Sequence, residues 1–483
     1  MQPKQCIAII DSIKAYAKQN PTEAQVYEDW FQAVVNLRDA LPQDKRFDAY
    51  KYSGELRSVC AAMMGKMKTG EDVAKVYDII SRTYLFEAKD VFDSYCIYLE
   101  WNRAPEKKFY QPRRKVLRTV ANALQDLADD RLDLLAISMP PGCGKTALAI
   151  FYLTWLAGRN PDEPMLTGSH SNSFVRGVYD ECLRIFDKDG EYLWNDVFPD
   201  VTVSNTNAKD CRIDLGKRKR FETLEFTSIG TGNAGLYRAS TLLYCDDLVS
   251  GIEVALSKPR LDKLWETYTT DLRQRKIGNK CKELHIATRW SVHDVIGRLE
   301  QNYGDSDRNR FIVMPAMNEK DESNFDYDYG VGYSTETLRK QREVMDEMSW
   351  KALYMNQPVE REGLLFPADE LRYFNGVLPD GEPDRKLMVM DIAWGGGDFT
   401  ACPIAYVYGD AVFIPDLVFN NGDKTVTRPE VVGKIIQHKI NVVRGEANNG
   451  GDEYCDVVDS QLRQQGYHCS VRSQRAPSGQ SKL

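Results

Sequence analysis

The stretch Ser138-Met139-Pro140-Pro141-Gly142-Cys143-Gly144-Lys145-Thr146 constrains this chain more than any other. An apolar run from Leu132 to Ile137, broken only by Asp133, precedes it and predicts a short buried strand. Ala147 to Leu153 follows as the opening of a helix. Strand, glycine-bearing turn, Gly-Lys-Thr and helix together predict a phosphate cradle. Glycines let backbone N–H groups approach the phosphates, Lys145 neutralises the β/γ oxygens, and the Thr146 hydroxyl binds Mg²⁺. The predicted cradle comprises Pro141, Gly142, Cys143, Gly144, Lys145 and Thr146. The full pattern opens on a glycine where this chain has Met139.

Upstream, Phe109-Tyr110-Gln111-Pro112-Arg113-Arg114 stands ahead of a helix carrying Val116, Leu117, Val120 and Leu124. Gln111 beside an aromatic can read an adenine edge while the ring stacks on its face; the alternative is a helix N-terminus with Pro112 in its first turn. Downstream, Pro164 to Ser169 reads as the next strand, and Arg176 lies on the first turns of the helix after it. Loops at the C-terminal ends of parallel strands face the ligand, so Arg176 is a candidate arginine finger, with an ordinary surface arginine as the alternative. Thr223 to Ile229 is a further strand leading into the glycine loop Gly230 to Arg238. Thr241 to Asp247 reads as a buried strand ending in two acids. Asp246 is expected to hold Mg²⁺ through its water shell, and Asp247 to orient and deprotonate the attacking water. Glu283 to Ala287 predicts one more strand, at whose end Thr288 could sense the γ-phosphate.

Bulk properties narrow the classes. At 483 residues there is room for roughly two to four domains. The net charge of −8 excludes nucleic-acid binding through overall basicity, leaving local runs such as Lys217-Arg218-Lys219-Arg220 or Arg273-Gln274-Arg275-Lys276. Eleven cysteines with no Cys-x-x-Cys, and five histidines, predict neither a disulfide framework nor a zinc knuckle, and fit a reducing compartment. No apolar run approaches the roughly 18 residues of a membrane span, so no membrane association is expected. Residues 1 to about 104 read as an all-helical region by apolar spacing (Ile9, Ile10, Ile13, Tyr16; Val26, Trp30, Val34), with Gly70 expected to end a helix.

The C-terminal part has its own order. Leu387 to Ala393 reads as a strand with Asp391 inside an apolar run, Trp394 to Asp398 as a turn, and Ala401 to Tyr408 and Ala411 to Ile414 as two more strands. Pro429 to His438 is helical, Asn441 to Glu446 a fourth strand ending in an acid, Asp452 to Gln465 helical, and His468 to Val471 a fifth strand. Three meandering strands followed by helix–strand–helix–strand is an RNase H-like order. A buried Asp391 would need a partner or a cation. Asp391 and Glu446 are therefore candidates to hold two divalent ions, Mg²⁺ or Mn²⁺, for phosphodiester hydrolysis.

In order, Tyr110-Gln111, Pro140 to Thr146, Gly230 to Arg238, Cys245-Asp246-Asp247, Ala287-Thr288-Arg289-Trp290, Trp350 to Pro358 and Gly363 to Phe366 resemble the large subunit of the tailed-phage terminase, the motor that packages viral DNA. The resemblance covers about residues 105 to 483. It implies a helical region (1–104), a P-loop (RecA/ASCE-like) ATPase domain with a parallel core sheet (105–365) and an RNase H-like nuclease domain (366–483). It implies Mg-ATP on Lys145 and Thr146, Asp246 as the metal-side acid, Asp247 as base and Thr288 in the coupling motif. Double-stranded DNA, a small terminase subunit, a portal protein and a homo-oligomeric ring are the implied partners, in the cytoplasm of an infected bacterial host. Some relatives carry an arginine where this chain has Pro141, so the finger is expected elsewhere, from Arg176 first and Arg238 second. The resembled nuclease has another acid on a later helix, and this chain reads as ending before it, at Ser481-Lys482-Leu483; neither Asp398 nor Asp452 is expected to substitute. That reading also makes the match of Ser-Lys-Leu to a peroxisomal address an accident. Competing readings are a helicase or remodelling ATPase without nuclease function, and a scaffold with a relic P-loop.

Overall fold

The computed structural model describes residues 1–230, 237–358, 372–393, 399–447 and 451–474. Most of the Gly230 to Arg238 loop, the Gly363 to Phe366 stretch, the Trp394 to Asp398 turn and Ser481-Lys482-Leu483 therefore lie outside the described residues. The chain divides into two compact units, Met1–Gly363 and Leu364–Leu483.

The first unit opens with five helices, α1 (Pro3–Gln19), α2 (Ala24–Ala40), α3 (Phe47–Met63), α4 (Gly70–Ala88) and α5 (Phe92–Leu99). Gly70 begins α4 rather than ending a helix. Thr69 caps it by accepting the Asp72 N–H, and Glu71 and Asp72 place acids in the first turn, where the helix dipole favours them. Ile10, Val26, Trp30, Val34 and Leu56 build the core of α1–α4, whereas Ile9 and Tyr16 are exposed. The helix α5 turns instead into the core of the sheet layer, with Phe92 against Tyr152 and Trp155 and the Tyr95 hydroxyl on that of Thr154.

The helix α6 (Tyr110–Ala128) leads into β1 (Leu134–Ser138), the glycine turn and α7 (Lys145–Arg159). Then come β2 (Met165–Ser169), α8 (Asn172–Phe186), α9 (Trp194–Val197), the hairpin β3 (Val203–Asn207) and β4 (Arg212–Leu215), β5 (Leu224–Ser228) and β6 (Leu242–Asp246). The unit continues with α10 (Ile252–Ala255), α11 (Lys258–Thr267), β7 (Lys282–Ala287), α12 (Val295–Tyr303), β8 (Asn309–Val313), α13 (Thr335–Val344) and α14 (Glu347–Leu353). The eight strands lie in the order β3-β4-β5-β2-β6-β7-β1-β8. From β5 to β8 neighbouring strands are parallel, and the β3–β4 hairpin adds antiparallel pairs at one edge. The strands β1, β2, β5 and β6 are buried along their whole length, the condition for a parallel sheet covered on both faces. Because β7 lies between β1 and β6, the P-loop, Thr288 and the two acids all emerge on the C-terminal edge of the sheet.

The second unit holds β9 (Arg385–Met390), β10 (Thr400–Tyr408), β11 (Ala411–Asn420), α15 (Lys424–His438), β12 (Val442–Glu446), α16 (Gly451–Gln464) and β13 (Ser470–Gln474). Its sheet order is β11-β10-β9-β12-β13, with the first three strands antiparallel and β9, β12 and β13 parallel. This is the RNase H-like order. Met388, Met390, Cys402 and Ile404 bury one sheet face against Val432, Ile435, Tyr454 and Val458 of α15 and α16.

Candidate functional site

The glycine turn extends β1 in register. Met139 is buried and donates its N–H to Ala287 of β7 at 3.2 Å. Its backbone is not left-handed, so the position needs no glycine; only Gly142 (φ 74°) and Gly144 (φ 91°) in the turn require one. Pro140 and Pro141 have no N–H, so the donors that can meet a phosphate begin at Gly142. Gly144 caps α7, and a Cβ there would lie 2.5 Å from the Phe109 ring. The Tyr333 hydroxyl covers the turn from outside, donating to the Pro141 carbonyl at 3.1 Å. Burial pushes the Cys143 thiol up to about 12, against the opposing pull of Lys145 and Arg113.

Lys145 is buried, and its ammonium donates to the Thr288 hydroxyl at 2.8 Å and pairs with Asp247 at 3.4 Å. Thr288 in turn donates its N–H to Asp247 Oδ1 at 2.8 Å and its hydroxyl to the Met139 carbonyl at 3.2 Å. Asp247 holds φ 40°, a left-handed backbone that costs a non-glycine residue about 1–3 kcal/mol. Its carbonyl is held by His170 Nδ1 at 2.7 Å, which therefore carries the proton. Strain of this kind persists where the surroundings over-determine it, and here Thr288, Lys145 and His170 do so.

Asp246 is fully buried. Burial and then the neighbouring Asp247 charge push its carboxyl up to about 7, while the Tyr244 and Thr146 hydroxyls and Lys145 pull the other way. The Tyr244 hydroxyl donates to Asp246 Oδ2, and Oδ1 is buried without a hydrogen-bond partner. An orphaned carboxylate oxygen beside a threonine hydroxyl at the mouth of a lysine-bearing turn is a donor set that fits Mg²⁺.

Other expected residues fall less simply. Gln111 stands exposed in the first turn of α6, but Tyr110 is fully buried with its hydroxyl on Asp93 at 2.7 Å, so that ring is not free to stack on a base. Arg176 is exposed on α8 and its charge acts on Tyr179 and on Cys211 at the head of β4. At ordinary strand spacing β4 lies about 24 Å across the sheet from β1, so Arg176 is not brought to this chain's own cradle. Arg238 stacks on Phe221 at 4.6 Å and gives its N–H to Glu225 near the start of β5, the edge opposite the cradle. The run Arg273 to Lys276 is spent internally, whereas in Lys217 to Arg220 only Lys219 is ion-paired among the described residues, and Lys217, Arg218 and Arg220 are exposed. Lys219 pairs with Asp214, Arg275 with Asp271, and Arg273 and Lys276 with the buried Glu283. Sequence reasoning assigned nothing to Tyr244, His170, Arg113 and Tyr333, whose hydrogen bonds at the site form only in the fold.

In the second unit Asp391 is exposed just past the end of β9, not buried mid-strand as the apolar run suggested. Its backbone pairs with Ala401 through bonds of 3.0 and 2.9 Å, and the strand alternation turns its side chain away from the core face of Met388 and Met390. Gly445 pairs with Met390, so Glu446 and Asp391 follow at the same level at the ends of adjacent parallel strands. Asp452 is exposed in the first turn of α16. Among the described residues no His, Cys, Asp and Glu side chains gather in threes. Asp391 and Glu446 thus offer two carboxylates.

No family model and no curated protein match the chain. Among solved structures it is similar to the large terminase from a thermophilic bacteriophage in complex with ADP, at 14% identity over 77% of this chain and 83% of that chain, with a TM-score of 0.33. It is similar to the HK97 bacteriophage large terminase at 14% identity over 74% and 79% of the two chains, with a TM-score of 0.34. The large terminase of the same thermophilic phage in complex with ATP-gamma-S is matched at 12% identity over 76% and 81%, with a TM-score of 0.31.

Proposed function

We propose that this chain is the ATP-hydrolysing motor of a viral DNA-packaging machine, a terminase large subunit, with a metal-dependent endonuclease in its second unit. The observation that carries the reading is the convergence of Lys145, Thr146, Asp246, Asp247 and Thr288 on one edge of the first sheet. Lys145 leaves Asp247 and Thr288 for the β/γ-phosphate oxygens when ATP enters. Asp247, freed of that ion pair, accepts the proton of the water that attacks the γ-phosphorus. Asp246 and Thr146 hold Mg²⁺, whose charge offsets that of the phosphates. Gln111 meets the adenine edge. Thr288 senses the loss of the γ-phosphate, and its neighbour Arg289, whose N–H is bonded to Asn356 Oδ1 at 3.1 Å, carries the change into the stretch after α14.

In the second unit Asp391 and Glu446 hold Mg²⁺ or Mn²⁺ for cutting double-stranded DNA. The working assembly is a homo-oligomeric ring on a portal protein, served by a small subunit, in the host cytoplasm; Arg176, exposed on α8, faces a neighbour's nucleotide there. Regions 1–104, 105–365 and 366–483 act as accessory helices, motor and nuclease. No helix is long and apolar enough to cross a membrane among the described residues.

Lys145→Ala tests the motor. Loss of Mg-ATP hydrolysis with an unchanged circular dichroism spectrum is expected, and unchanged turnover removes the ATPase assignment. A helicase reading is less favoured because the second unit is an acid-bearing RNase H-like sheet and not a second RecA-like domain.

A further inference from the structure

The turn that cradles phosphate has a proline at 141, which brings neither an N–H nor a charge. A cation nevertheless stands beside it. Arg113 lies in the first turn of α6, and its Cδ is 3.5 Å from where a Cβ on Gly144 would sit. Its Nη1 donates to the Phe109 carbonyl and its Nη2 to the Val331 carbonyl, each at 2.8 Å. The rings of Phe109 and Tyr327 lie 5.0 and 5.6 Å from the guanidinium carbon. Its Nε is buried with no acceptor.

The adjacent arginine shows what is missing. Arg114 is clamped by both oxygens of Asp93, at 2.9 and 2.6 Å. Among the described residues no carboxylate lies in ion-pair range of Arg113. Neutral carbonyls and ring faces orient the guanidinium without pairing it, and the buried Glu100 acts on it only from beyond ion-pair range, so a partly buried charge is held without a direct counter-ion. Burial accordingly pushes the Arg113 pKa down. The Cys143 thiol feels Arg113 and Lys145 together, so the two cations flank the same turn.

We propose that Arg113 contacts the phosphates of the bound nucleotide beside Lys145, as the phosphate-binding cation that Pro141 does not supply. This rests on the nucleotide-binding reading above. The two carbonyls hold the fork in place, the rings of Phe109 and Tyr327 flank the guanidinium, and the Nη hydrogens not given to the carbonyls are left for phosphate oxygens. The contrasting role is a strap that only ties the Val331 segment to α6.

Calorimetric titration of the full chain with Mg-ADP and with Mg-pyrophosphate separates the two, using wild type, Arg113→Met and Arg113→Lys. Arg113→Met keeps the apolar stem and removes the charge. Affinity for both ligands is expected to fall about tenfold or more in Arg113→Met and about threefold in Arg113→Lys, which keeps the charge but loses the fork. Wild-type affinity in a folded Arg113→Met, whatever its melting temperature, overturns the proposal in favour of the strap. A loss for Mg-ADP without one for pyrophosphate overturns it in favour of a contact to the base. Should Arg113→Met not fold, Arg113→Lys decides, parity with wild type being the overturning result. If wild type itself binds neither ligand, the nucleotide reading falls, and this proposal with it.

Discussion

At the scale of single residues the site is organised by one costly acid. Asp246 carries its proton in the folded chain until the pH nears 7, because burial and the Asp247 charge oppose ionisation. The raised value fixes the sign. The folded state binds a proton that the unfolded chain has already lost above the ordinary carboxylate range, so stability declines as the pH rises from about 4 and the decline is complete above about 7. Asp246→Asn, which can still accept from Tyr244, should therefore raise the melting temperature of the nucleotide-free protein more at about pH 8 than at about pH 4. A gain equal at both pH values would contradict a buried, proton-holding carboxyl. The same substitution should abolish Mg²⁺-dependent nucleotide binding, read by calorimetry with and without the metal.

At the scale of elements, the N-terminal helices are tied into the cradle through Glu100. This fully buried carboxylate accepts the N–H groups of Phe109 and Tyr110, each bond at 2.9 Å, and Arg103 at 2.7 Å. It thereby fixes the start of α6, whose flanking Phe109 ring packs against Gly144. Glu100→Gln loses a charge-assisted acceptor and gains an amide group that has to be satisfied in the same buried place. A destabilisation of about 1–3 kcal/mol by denaturant titration is expected, with weakened Mg-ADP binding. Unchanged stability would mean that the cap is dispensable.

The legibility of the elements follows the same physics. Strands β1 and β6 were readable because strands buried on both faces appear as apolar runs, and β2, β5 and β7 were readable from Met165, Leu166, Leu224, Phe226, Leu284 and Ile286 although they also bury Thr167, Glu225 and Glu283. The edge strands β3 (Val203–Asn207) and β8 (Asn309–Val313) were not, since their half-exposed positions admit Asn, Ser, Thr and Arg. Asp391 was misplaced for a related reason: Met388 and Met390 are core residues, but Asp391, next in the chain, lies past the strand end and is exposed. Lys145, Asp246, Asp247 and Thr288 were legible from motif order. Arg113 and Tyr333 were not, because their partners Val331 and Pro141 lie 218 and 192 residues away in the chain.

At the scale of the whole molecule, the residues proposed to bind nucleotide and the proposed acid pair fall in different compact units, each with its own sheet and core. Their chemistries should therefore separate. Asp391→Ala is expected to lose Mn²⁺-dependent plasmid cutting while keeping wild-type ATP hydrolysis, and Lys145→Ala the reverse, with cutting assayed in the absence of ATP. Cutting that persists in Asp391→Ala would remove the acid pair from the nuclease reading.

The central claim is that Asp247, held in a left-handed turn by Thr288 and His170, is the base for ATP hydrolysis. Single-turnover hydrolysis of Mg-ATP by Asp247→Asn, measured beside its Mg-ATP affinity, tests it most directly. The predicted result is binding within about threefold of wild type and a hydrolysis rate lowered by about 10²–10⁴. A folded Asp247→Asn that binds Mg-ATP and turns it over at the wild-type rate would contradict the account.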